Sequence, residues 1–297
     1  MTQKLLIAKT WDSFNVTDTW WDKHDSVPLH DVEKVICPDL HFLKITSDPT
    51  YNNIYSESSM MDGAQYESSS YAKTQVKLNF HLHYIDDEDF MRKKHDIQRY
   101  FSPKASFHVA SPYRPALMAV LYVNAVPIDK TTDHDTLFTV TMDNPHGMWY
   151  SNPTSNLVNN WNPSIATDLE FDIDAAKGGK SPNWYLHPGM NKIYIAGDAL
   201  IQMTNPIVDC SVKVKEPRNF VSVINHTNKT SLSFDSESVP DNSMTWHGLD
   251  LRDDSNNQPL NQFTNETDFW LSPGWNQIEL VGANEGFIDT RFYYTNY

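Results

Sequence analysis

The chain is short of cysteine, glycine, positive charge and long apolar runs. Cys37 and Cys210 are its two cysteines. One distant pair makes neither a disulfide framework nor a four-ligand zinc site, so both read as idle thiols of a protein folded in a reducing compartment. No stretch approaches the roughly 20 apolar residues that cross a bilayer. The opening MTQKLLIAKTWDSF has an apolar run too short for the core of a secretory signal, and sequons such as Asn225-His226-Thr227 carry no meaning without secretion. Basic residues number 23 against 38 acidic, a net charge of −15. That sign repels phosphate backbones and anionic lipids, which disfavours nucleic acid and membrane as partners. Gly-x-Ser-x-Gly, a phosphate-cradling glycine loop and a Cys/His nucleophile signature are also missing. No catalytic residue is nominated, and neither cofactor nor enzyme activity is expected. With only ten glycines in 297 residues, turns fall to Asn, Asp, Ser and Pro.

What is present is aromatic and repetitive. Aromatics make up 12% of the chain, enough large side chains to build a sizeable core. The phrase WYLHPGMNKIYIAG at 184–197 returns as FWLSPGWNQIELVG at 269–282. In each copy a proline, Pro188 or Pro273, presets φ at the second position of a β-turn. A glycine, Gly189 or Gly274, then accepts the positive φ that a type II turn needs. Asn191 and Asn276 are expected to tolerate a strained exit. Gln277, Ile278, Glu279 and Leu280 then alternate polar and apolar, the period of a half-buried strand. Each copy therefore predicts strand, tight turn, strand. Further strands are predicted after each copy, in 207–214 and 287–294, and before each, in NNWNPSIATDLEFDI (159–173) and INHTNKTSLSFDS (224–236). No helix is predicted beyond residue 150. The spacing predicts one β-sandwich over 150–297 built of two related halves, with two small separate sandwiches as the alternative.

The first block reads differently. SESSMMDGAQYESSSY is polar and predicts a long loop or arm. In TQVKLNFHLHY, Val76, Leu78, Phe80, Leu82 and Tyr84 alternate with Lys77, Asn79, His81 and His83, which predicts a strand. DDEDFMRKKHDIQRYF predicts the one good helix: acids crowd its start, and Phe90, Ile97 and Phe101 make a stripe with Met91 beside it, up to a stop at Pro103. LMAVLYVNAV (117–126) and LFTVTM (137–142) read as strands, and the block ends near Asn144-Pro145. Two domains are expected, 1–149 and 150–297.

Candidate sites are few. His81 and His83 share a strand face, but zinc sites normally use three or four protein ligands, and no third is in sight along the chain. The acidic stretches 129–135 and 249–257 lack the glycine and closing glutamate of an EF-hand, so no metal is expected. A glycosidase needs two carboxylates at a set separation, which this sequence does not single out. Among nine tryptophans, Trp246 beside His247 and Trp275 beside Asn276 are the nominees for a sugar contact. Core packing is the preferred reading of both. Trp246 can point inward as readily as outward, and Trp275 is placed in the turn, capping the sandwich.

Three segments in order resemble the distal tail proteins of long-tailed phages infecting Gram-positive bacteria: TQVKLNFHLHY with DDEDFMRKKHDIQRYF, then SPKASFHVASPYRPALMAVLYVNAV, then FWLSPGWNQIELVG with the aromatic closing strand IDTRFYY. The resemblance implies a mainly β protein. Its N-terminal part would be a β-sandwich-like belt domain with one helix and a long hairpin arm, and its C-terminal part a galectin-like β-sandwich carrying the internal repeat. It implies a homo-hexameric ring, with the hairpin arm adding strands between neighbours. The ring would be a virion hub at the tail tip, assembled in the host cytoplasm, joining the major tail protein to tail-tip, tail-associated lysin or baseplate proteins. The alternative is a carbohydrate-binding sandwich that holds a host saccharide, and a third reading is a glycoside hydrolase.

Overall fold

In a computed structural model, the structure describes residues 4–9, 29–57, 62–102, 106–114, 117–151, 154–155, 184–205, 208–265 and 268–296. Internal contacts divide the chain into two compact units, Met1–Trp149 with Thr295–Tyr297, and Tyr150–Tyr294.

The first unit runs β1 (Leu6–Lys9), β2 (His30–Asp31), α1 (Val32–Ile36), β3 (Leu40–Ser47), β4 (Tyr51–Glu57), β5 (Ala64–Tyr71), β6 (Thr74–His83), α2 (Asp87–Phe101), β7 (Ser106–Ala110), β8 (Leu117–Ala125) and β9 (Asp135–Asn144). Seven strands form one antiparallel sheet in the order β2-β1-β7-β8-β9-β6-β3. The alternation expected of β6 is there: Val76, Leu78, Phe80 and Leu82 are fully buried. Phe80 stacks on Phe138 of β9 at 5.4 Å and meets Phe101 of α2 at 6.2 Å, so the helix lies on the apolar face of the sheet. Asp86 caps α2, accepting from Asp89 N at 2.8 Å. Phe90, Ile97 and Phe101 are buried as expected, but Met91 is 61% exposed. Met91 sits about 100° round the helix from Phe90, and the buried stripe continues instead through Lys93. The short helix α1, capped by Asp31, is not foreshadowed in the sequence reading.

The Ser-rich stretch is an arm, but not a loop. β4 and β5 pair only with each other, as a two-stranded ribbon exposed on both faces. Tyr51 meets Tyr71 and Tyr55 meets Tyr66 across it, aromatic pairs that favour an extended ladder over coil.

The second unit begins within β10 (Trp149–Ser151) and contains β11 (Tyr185–Leu186), β12 (Gly189–Ile195), β13 (Ile201–Gln202), β14 (Cys210–Lys215), β15 (Phe220–Asn225), β16 (Thr230–Asp235), β17 (Ser243–His247), β18 (Asp250–Asp253), β19 (Trp270–Leu271), β20 (Gly274–Val281), β21 (Glu285–Thr290) and β22 (Tyr293–Tyr294). A 3-10 turn at Asn261–Phe263 interrupts the strands. The sheets are β11-β21-β14-β17-β18 and β12-β20-β15-β16, with the short pairs β13-β19 and β10-β22. Trp184, Ile193, Val212, Val223, Phe234, Trp246, Phe269, Ile278 and Ile288 are fully buried in its core. The strand expected within 159–173 lies outside the described residues.

The two copies of the repeated phrase do not make separate sandwiches; they pair with each other. β12 runs antiparallel to β20, from Gly189↔Leu280 to Ile195↔Gly274. The copies stand 85 residues apart (189 against 274), and exchanging them maps this register onto itself about Lys192↔Gln277. The same exchange turns Tyr185↔Phe287 of β11-β21 into Trp270↔Gln202 of β19-β13. The repeat is therefore a local two-fold, and each half completes the other's sheets.

Candidate functional site

At the repeated turn, Gly189 has φ 91° and Gly274 φ 87°, as position three of a type II turn requires. The asparagines do something other than expected. Neither has positive φ. Asn191 Oδ1 accepts from His187 N at 2.9 Å, while its Nδ2 donates to His187 O and Gly189 O, each at 2.8 Å. Asn276 repeats the set on Ser272 N (3.0 Å), Ser272 O (2.7 Å) and Gly274 O (3.2 Å). The amide imitates a neighbouring strand's peptide and pins the turn shut, which needs a planar donor-acceptor side chain and no backbone strain. These turns are architecture.

The sugar nominees separate. Trp246 is fully buried in β17, its Nε1 donating to Thr264 Oγ1 at 3.3 Å, so it is a core residue and not a sugar contact. His247 is exposed at the strand's end, without that aromatic partner. Trp275 is not in the turn. It lies on β20, 49% exposed, on the same face as Gln277 and Glu279. Across the strand pair stands Tyr194, rings 5.3 Å apart and edge to face. Lys192 faces Gln277 one step along, and Glu279 Oε2 lies 2.7 Å from His226 Nε2.

On the first unit, His81 Nε2 and His83 Nδ1 each lie 3.0 Å from Asp135 Oδ1. The register His83↔Asp135 supplies a carboxylate that no local spacing could reveal. His41 stacks on His81 from β3 at 6.1 Å. Among the described residues no group of three His, Cys, Asp or Glu is placed to hold a metal ion. The cluster is a partly exposed set of polar contacts.

The second unit also buries a charge pair. Arg291 Nε sits 3.1 Å from Asp209 Oδ2, its Nη1 donates to Ser151 O at 2.9 Å, and its guanidinium lies over Tyr150. Burial pushes the Asp209 carboxyl up, against the pull of Arg291. Burial also pushes the neighbouring Cys210 thiol up to about 12, so it stays protonated and unreactive at neutral pH. These groups hold the closing strands in place.

Residues 34–171 match the family model described as the phage tail protein RIFT-related domain. The matched stretch takes in the central β6, α2 and β7 to β9 of the first unit, where the first two segments of the distal tail resemblance lie. The chain has the fold of the distal tail protein of phage SPP1, a structure described as a paradigm of hub adsorption apparatus in phages infecting Gram-positive bacteria. The TM-score is 0.54 at 7% identity, covering 86% of this chain and 94% of that one. The activated, Ca-containing baseplate of phage P2 aligns over 98% of both chains at 12% identity, with a TM-score of 0.40. No curated protein matches the chain by sequence.

Proposed function

We propose that this protein is a structural, non-catalytic hub of a phage tail. Copies of it form a hexameric ring at the distal end of the tail, with the major tail protein on one side and tip or baseplate proteins on the other, and tail assembly and host adsorption both depend on it. Its place is the virion tail tip. The observation that carries the reading is the uncovered arm on a unit matched to a tail-protein domain. β4 and β5 expose Tyr51, Ile54, Tyr55 and Tyr66 to between 50 and 56%. An isolated two-stranded ribbon is marginal in water, and its free edges invite another strand. A neighbouring copy that receives the arm covers these tyrosines, and a head-to-tail contact of this kind closes into a ring.

Light scattering and negative-stain microscopy of the purified protein test it. Rings of six are expected, and replacing 52–70 by a short Gly-Ser link should leave folded monomers. A wild-type protein that stays monomeric at micromolar concentration, together with a virion map that places no ring of this chain at the tail tip, overturns the proposal.

A further inference from the structure

The repeat has kept some positions and changed others, and the two sets differ in what they face. Leu186 and Leu271, Ile193 and Ile278, and Ile195 and Leu280 match in type and are all buried; Pro, Gly and Asn of the turns match outright. The outward positions of β12 and β20 do not match: Met190 against Trp275, Lys192 against Gln277, Tyr194 against Glu279. The fold asks nothing particular of these outward sites, since the same backbone accepts both versions. Yet one end of this face carries an indole half open to water, braced edge to face by Tyr194.

We propose that the outward face of β12 and β20 binds an oligosaccharide, Trp275 stacking on one pyranose ring, Lys192 and Gln277 bonding its hydroxyls, and the His226–Glu279 pair bonding those of the next sugar. The surroundings select this chemistry. A sugar ring offers an apolar C–H face and a rim of hydroxyls that both donate and accept. Gln277 and its cross-strand partner Lys192 stand one strand step from Trp275 and the His226–Glu279 pair two, so an amide, an ammonium and a carboxylate bonded to an imidazole supply both roles along an oligosaccharide. The apolar part, Trp275, Tyr194 and Met190 with Val281 at the far end of β20, is broken by charges of both signs, too little to dock a protein by burial alone. The net charge of −15 excludes a polyanion. The site is independent of the ring contact proposed on β4 and β5.

The test uses the full chain and saturation-transfer NMR with soluble probes: an N-acetylglucosamine trimer and oligosaccharides of glucose, galactose and rhamnose. Transfer to the ring protons of at least one probe is expected. Trp275→Ala and Gln277→Ala should each weaken its binding at least about tenfold, while Trp270→Ala on β19 should leave it unchanged. Unfolding curves check that each variant is intact, and oligomer size checks the hub reading separately. Transfer to no probe at about 10 mM, or binding that survives Trp275→Ala, overturns the site. Retention of another tail protein that Trp275→Ala abolishes, without saccharide transfer, overturns it as well and makes the face a protein contact.

Discussion

Four glycines of the repeated phrase have positive φ, for two different reasons. A Cβ on Gly189 or Gly274 meets nothing within 4 Å, so the backbone angle alone demands glycine there. A Cβ on Gly197 would lie 2.2 Å from Tyr293 O, and one on Gly282 1.8 Å from Phe220 O, both rigid backbone. Gly189→Ala and Gly274→Ala should each cost about 1 kcal/mol, the strain of a left-handed residue. Gly197→Ala and Gly282→Ala should cost more than about 3 kcal/mol, because main chain must move as well. Urea unfolding of the four variants checks the ranking, and equal losses would discard it. The pinning asparagines differ too. Asn276 is fully buried and also accepts from Asn225 Nδ2 at 3.2 Å, whereas Asn191 is half-buried. Asn276→Ala should lose about 2 kcal/mol and Asn191→Ala less, since water can replace part of the second set.

Between elements, a single ammonium does the joining. Lys93 Nζ lies 2.6 Å from Asp39 Oδ2 and 2.7 Å from Asp89 Oδ2, and donates to His83 O at 3.1 Å. All three of its protons are used, and they tie α2 to the approach to β3 and the end of β6. Lys93→Ala removes the ammonium between Asp39 and Asp89 and leaves Asp89 only Arg92 as a cationic partner. The expected loss is about 2 kcal/mol, below the cost for a fully buried pair because Asp39 is partly open to water. The hydrogen bond from Lys93 holds the Asp89 carboxyl down at about 2, below its ordinary 3.8, with Arg92 and Ile85 N adding to it. A depressed carboxyl stabilises the fold at pH above its unfolded value, and that contribution is lost as pH falls through the folded one. The first unit should therefore lose stability between about pH 4 and pH 2, and Asp89→Asn should flatten this part of the curve. Melting temperatures of both proteins across that range decide it; parallel curves would remove Asp89 from the account.

For the whole molecule, charge sets the terms of assembly. Each copy carries −15, so copies brought into a ring repel one another over a screening length of about 10 Å at 0.1 M salt. The arm that is proposed to join them is held by tyrosines and strand edges and has no Lys or Arg among the residues of β4 and β5. Raising salt from about 0.02 to 0.3 M should then lower the concentration at which rings form. Sedimentation velocity at several ionic strengths measures it. Rings that fall apart with added salt would show that ion pairs, not the arm, hold the copies together.

What the sequence determines by itself here is local. The alternation of β6 and the buried stripe through Phe90, Ile97 and Phe101 follow from backbone periods of about 2 and 3.6 residues, and the proline and glycine of the repeated turn from what φ each can adopt. Even the exposure of Trp275 was legible, for it stands in phase with Gln277 and Glu279, the polar side of its strand. Trp246 was not. In Ser243–His247 four consecutive residues are buried, so no alternation marks a face, and only packing on both sides of that strand puts the indole inside. The carboxylate for His81 and His83, the Asp39 carboxylate on Lys93 and the two-fold pairing of the repeat belong to the tertiary structure for the same reason. Each brings together residues tens of positions apart, and which strand lies beside which is decided by the burial of the whole core rather than by any one segment's pattern.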